Sequence, residues 1–113
     1  MSSQAELDLQ IDLTGAVVVK WSGSANDRQP AAALNPLFER LLSMGRYLRF
    51  DFSELQHISS TTLVVVLRFF KKLNAMGVGF DFRYDESVSW QRMMFAPVSA
   101  LAAPPSMLLS AAA

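Results

Sequence analysis

The chain has 113 residues, enough for one compact domain and too few for two ordinary ones, and its 51% hydrophobic, 18% charged make-up is that of a globular protein. Ten basic and ten acidic side chains cancel, so the sequence offers no broad field for steering onto nucleic acid or anionic lipid. The lack of cysteine excludes disulfides, thiolate metal sites and cysteine nucleophiles; without a basic-then-apolar leader or a long apolar run, the expected compartment is the cytoplasm and no membrane insertion is expected.

Residues 6–13, ELDLQIDL, alternate Leu7, Leu9, Ile11 and Leu13 with Asp8, Gln10 and Asp12, the two-residue period of a strand with one wet face. Thr14, Gly15 and Ala16 turn the chain into VVVKW, a second and more buried strand ending at Gly23, so a hairpin is expected. The polar residues 22–30 read as a loop. Beyond them Ala33, Leu34, Leu37, Phe38, Leu41 and Leu42 recur three and four apart, as on one helix face. Pro36 inside that pattern places the regular start there, with Asn35 as cap, and Gly45 suits a left-handed end. YLRFDF, residues 47–52, is the third strand.

The stretch QHISSTTLVVVLRFF puts four hydroxyl residues, Ser59, Ser60, Thr61 and Thr62, ahead of an apolar segment with three successive valines. β-Branched residues favour a strand, but the segment running to Met76 is several times longer than the usual five or six residues of one. Length decides for a helix, with Leu63, Val66, Leu67, Phe70 and Leu73 as its inner stripe. Ser59 or Ser60 stands where an N-cap hydroxyl accepts from the first turn, and Gly77 closes the other end. GFDFRYD is a fourth strand, and SVSWQRMMF a short third helix capped by Asp85 or Ser87 and stopping before Pro97. The Ala/Pro-rich tail, 102–113, has no assigned element. This order gives a single α/β domain with crossover helices against a mixed sheet.

Few residues suggest chemistry. His57 is the only histidine and sits in the expected loop before the long helix, so it is given no catalytic role, and metal or cofactor sites are not expected. No nucleophile elbow, phosphate loop or dinucleotide fingerprint occurs, and the acids Asp51, Glu54, Asp81, Asp85 and Glu86 read as the solvated half of alternating patterns. An enzyme is not expected. Trp90, Met93 and Met94 read as core. The long helix has a second apolar face, Val65, Phe69 and Met76 with Thr62 and Lys72 alongside, which either packs on a neighbouring helix or forms a protein-binding patch.

The series VVVKWSG, polar loop, helix ending in glycine, YLRFDFSEL, HISSTTLVVVLRFFKKLNAMG, GFDFRY and a last short helix resembles the STAS domain of bacterial anti-sigma factor antagonists, over residues 6–101. The resemblance implies a sheet of four to five strands. In that family a hydrophobic-Asp-hydrophobic run, here Phe50-Asp51-Phe52, precedes an Asp-Ser-Ser/Thr-Gly signature that opens the second long helix. Here the signature falls on Ile58-Ser59-Ser60-Thr61, with isoleucine for the aspartate and threonine for the glycine. Asp27 is only a loose counterpart of the acid in the family's Gly-Glu-Leu-Asp turn. By the resemblance Ser59 is the phosphoacceptor and Ser60 its alternate, and Ile58, Ser59, Ser60, Thr61, Thr62, Val65 and Phe69 form the partner surface. The implied partner is an anti-sigma factor or serine kinase. The alternative is a constitutive subunit like the small STAS component of lipid-transport ABC assemblies.

Overall fold

The computed structural model describes residues 6–25 and 28–98. Strands β1 (Glu6–Ile11), β2 (Val17–Ala25), β3 (Leu48–Ile58) and β4 (Phe80–Arg83) pair in the order β1-β2-β3-β4, the first pair antiparallel and the other two parallel. Helices α1 (Pro30–Met44) and α2 (Ser60–Met76) make the two parallel crossovers, and α3 (Ser89–Phe95) follows β4.

The first hairpin forms because Asp12 closes its own turn. Its carboxylate accepts from the Thr14 N–H at 2.8 Å, the Thr14 hydroxyl at 2.6 Å and the Ala16 N–H at 3.1 Å. The Thr14 hydroxyl bond is the main reason the Asp12 carboxyl titrates below its ordinary range. The turn also ends β1 at Ile11, leaving the Leu13 side chain fully in solvent rather than on a strand face.

One face of the sheet builds the core. Val17, Val19 and Trp21 on β2, Leu48, Phe50 and Phe52 on β3, and Phe80 on β4 are all buried, at alternate positions along β2 and β3. The helices cover that face. Phe38 of α1 stacks on Phe69 of α2 with centroids 4.0 Å apart, while Phe70 meets Phe50 edge-on at 5.0 Å and Phe95 of α3 stacks on Phe52 at 4.6 Å. The opposite face stays wet. Lys20 pairs with Glu54, and Arg49 lies 3.5 Å from both Asp12 and Asp81.

Three expectations need correction. α1 begins at Pro30, not at Asn35: proline at the first helical position lacks only an N–H that would have no intrahelical partner, and Pro36 is accommodated inside the helix on its exposed side. The α3 N-cap is Val88 without a side-chain bond; Asp85 instead holds the Ser87 N–H at 3.0 Å and hydroxyl at 2.6 Å in a turn before the helix. A tight turn over residues 96–98 then carries the chain through Pro97.

The third correction is β3, which runs to Ile58 and takes in residues 56–58, read from the sequence as loop. Against β2 it gains one residue between Lys20↔Asp51 and Ser22↔Glu54, and another between Gly23↔Leu55 and Ser24↔His57. Each bulge changes the spacing of core residues from two to three, giving Phe52, Leu55 and Ile58, which hides a strand from a period-two reading. Asp51 supports the first bulge by accepting from the Ser53 N–H at 3.0 Å and hydroxyl at 2.6 Å.

β4 pairs with β3 only as far as Asp51, and α3 takes over beyond that point. The buried Gln91 amide donates to the carbonyls of Leu55 at 2.9 Å and Ser53 at 3.3 Å, and its oxygen accepts from the Asp85 N–H at 2.7 Å. One side chain thus stands in for a missing stretch of strand pairing.

Candidate functional site

The hydroxyl cluster lies at the carboxyl end of the parallel strands, where β3 passes into α2. Ser59 is the hinge point: its N–H donates to Ala25 at the end of β2 at 2.8 Å, and its carbonyl accepts from Leu63 at 2.9 Å. Its backbone is extended while the next residue is already helical, the conformation of an N-cap. The Thr62 N–H donates to Ser59 Oγ at 3.2 Å, and that oxygen also shares hydrogen bonds with Thr62 Oγ1 at 2.7 Å and Thr61 Oγ1 at 3.2 Å. At the far end Gly77 adopts φ 73° and its N–H returns to Asn74 and Leu73, a left-handed cap of the kind expected there.

The proposed surface residues divide in two. Ser60 and Thr61 are exposed, and Ser59 and Val65 are half-buried, so these four reach the lip or outer side of α2. Ile58, Thr62 and Phe69 are turned inward, with 1%, 2% and 4% of their surface exposed, so they belong to the core and at most floor a groove rather than project from the surface. Phe69 is inside because α1 lies alongside and Phe38 covers it, which settles the second face of α2 in favour of a neighbouring helix at that residue. Ile58, where the family signature has an aspartate, is a core residue, so the lip carries no carboxylate at that point. Asp27 and the tail lie outside the described residues.

Sequence reading missed two features. Trp90, Met93 and Met94 are not simply core: Met93 is 74% exposed, and the three line a shallow apolar cavity of about 310 Å³ with Gln56, His57 and Ile58. Their spacing on one short helix was the available signal. Arg68 and Lys72 border a second groove, between α1 and α2, which only the packing of the helices creates. Among the described residues no group of three or more histidine or acidic side chains could hold a metal ion, and no helix is long and apolar enough to cross a membrane.

No family model and no curated protein matches the chain. Its fold is similar to the crystal structure of an anti-sigma factor antagonist from Mycobacterium paratuberculosis, with TM-score 0.62 and 20% identity over 96% of this chain and 93% of that one. With the mixed β1-β2-β3-β4 sheet, the two crossover helices on one face and this overlap of nearly the whole length, the chain has a STAS-like fold.

Proposed function

We propose that the chain is a non-enzymatic regulator that binds a protein partner through the lip Ser59-Ser60-Thr61 and the outer side of α2, and that phosphorylation at Ser59 releases it. The observation that carries this reading is a set of hydroxyls at a helix N-terminus, Ser60 and Thr61 exposed and Ser59 partly so, in a domain whose fold matches an anti-sigma factor antagonist. By that likeness the partner is an anti-sigma factor or serine kinase and the setting is bacterial transcription control in the cytoplasm.

The physics of such a switch is local. A phosphoserine adds about 1.5 to 2 negative charges. At Ser59 the free N–H groups of the first turn and the Thr62 hydroxyl can still donate to it, and the helix dipole favours it, so the domain keeps its fold. A partner fitted to neutral hydroxyls would instead have to desolvate a dianion. Incubation with ATP and a serine kinase encoded beside the gene, followed by phosphate mapping by mass spectrometry, tests the assignment. Full labelling of Ser59→Ala would remove Ser59 as acceptor and turn attention to Ser60.

A second reading has its own support: the Ser59 hydroxyl is already engaged with Thr61 and Thr62, and Ile58 has replaced the carboxylate of the signature. Both fit a constitutive subunit of a larger assembly, such as a lipid-transport ABC complex. That reading expects stable co-purification with its assembly and no loss of affinity in Ser59→Asp, whereas the switch reading expects Ser59→Asp to release the partner.

A further inference from the structure

The net charge of zero conceals a separation between the two layers. α1 and α2 carry Arg40, Arg68, Lys71 and Lys72 against Glu39 as their one acid, whereas the wet sheet face mixes the acids Asp8, Asp51, Glu54 and Asp81 with Lys20, Arg49 and Arg83, of which Lys20 and Arg49 are tied into ion pairs. α2 itself has no carboxylate. Successive turns of its outer side present Thr61, Val64, Arg68 and the Lys71-Lys72 pair, all exposed and spaced three and four apart. Among the described residues, none of these three cations is held in an ion pair.

Beside them runs the groove between α1 and α2, about 240 Å³ in volume, floored by the stacked Phe38 and Phe69 with Leu42 and Val65, and bordered by Arg68 and Lys72 on the α2 side and by Asn35 and the single acid Glu39 on the α1 side, so cations outnumber acids at its rim. Apolar lining next to unpaired cations favours a ligand that offers an apolar side chain and carboxylates together. A bare polyanion would leave the apolar part unfilled.

Resting on the reading that the domain docks a protein, we propose that the partner meets α2 with an acidic amphipathic segment. An apolar side chain of that segment enters the groove over Phe38 and Phe69, and its carboxylates face Arg68, Lys71 and Lys72. Complementary charge of this kind sets register and speeds encounter. It also gives phosphorylation a direction. Ser59 precedes Arg68 by nine residues, about 14 Å along the helix axis. At physiological salt that exceeds a screening length of about 8 Å, so Arg68 does not neutralise the phosphate, and the new charge repels the near end of an acidic partner.

The test uses the full chain and a labelled amphipathic helical peptide with leucines on one face flanked by glutamates, beside the same peptide with glutamines for glutamates, followed by fluorescence anisotropy. The glutamate peptide is expected to bind about tenfold more tightly at low salt, with the preference shrinking as salt rises. Arg68→Glu and Lys72→Glu should each weaken it by about tenfold, whereas Arg83→Glu, on β4, should not; unchanged circular dichroism identifies variants that remain folded. Equal binding of the two peptides, binding of neither, or indifference to Arg68→Glu overturns the proposal. So does binding to phosphatidylserine vesicles or a single-stranded oligonucleotide in place of the peptide. Phosphate mapping at Ser59 is independent: a labelled Ser59 without glutamate preference refutes the acidic partner alone, while an unlabelled Ser59 with that preference refutes the switch alone.

Discussion

Ser59 joins two elements through three groups: the end of β2 through its N–H, and the first turns of α2 through its carbonyl, which accepts from Leu63, and its hydroxyl, which bonds Thr62. Ser59→Ala is expected to lower stability by about 1 kcal/mol, the usual effect of losing an N-cap acceptor, as read by urea denaturation. Ser59→Asp keeps an acceptor and adds charge at the favourable helix end, so it should stay near the wild-type value. That difference matters for function, because any loss of binding in Ser59→Asp can then be ascribed to the interface rather than to unfolding. Tyr47 gives a second prediction. Burial, helped by the nearby Asp81 charge and the hydrogen bond of its hydroxyl to Asp81 at 3.1 Å, pushes its phenol from 10.0 up to about 12. Between those values the folded state retains a proton that the unfolded state releases, so stability falls as pH rises through the window and levels off above it. Denaturation midpoints across the same range should fall less steeply in Tyr47→Phe.

At the scale of elements, contacts between them matter more than the elements alone. α3 has only seven residues and no side-chain cap, yet it is anchored by Gln91 and Phe95, both buried. Gln91→Leu leaves the carbonyls of Ser53 and Leu55 and the Asp85 N–H without their partner, and a loss of about 2–4 kcal/mol in chemical denaturation is expected. The α1–α2 contact depends on the Phe38–Phe69 stack. Phe69→Ala should cost about 3–5 kcal/mol, and Phe69→Asp should unfold the domain rather than remove a partner contact selectively. Circular dichroism distinguishes the two outcomes: a native spectrum for Phe69→Asp would contradict the burial described here.

For the whole molecule, a single core cluster takes residues from β2, β3, β4 and all three helices. Unfolding is therefore expected in one cooperative step, with the transition seen by fluorescence of the buried Trp21 coinciding with that seen by far-UV circular dichroism. Non-coincident transitions would mean that α3 and the carboxyl end of β3 melt separately. Charge is also a property of this scale. The net charge of zero hides an uneven distribution: the sheet face mixes acids with Lys20, Arg49 and Arg83, whereas α1 and α2 carry four cations against one acid, so the helical side is the one that suits an acidic partner.

The sequence by itself determined the features that depend on neighbours along the chain. Alternation marked β1, the start of β3 and β4; length overrode the valine run of α2; and Ser59 and Gly77 bounded that helix, because capping is settled within one turn. The position of the hydroxyl lip was legible for the same reason. Only the tertiary structure decided the rest. Two bulges lengthened β3 because β2 lay beside it, α1 closed over Phe69, and α3 placed Gln91 against carbonyls more than thirty positions away. Whether a side chain such as Thr62 or Phe69 faces a partner or the core is set by elements far off in the sequence, and no local period records them.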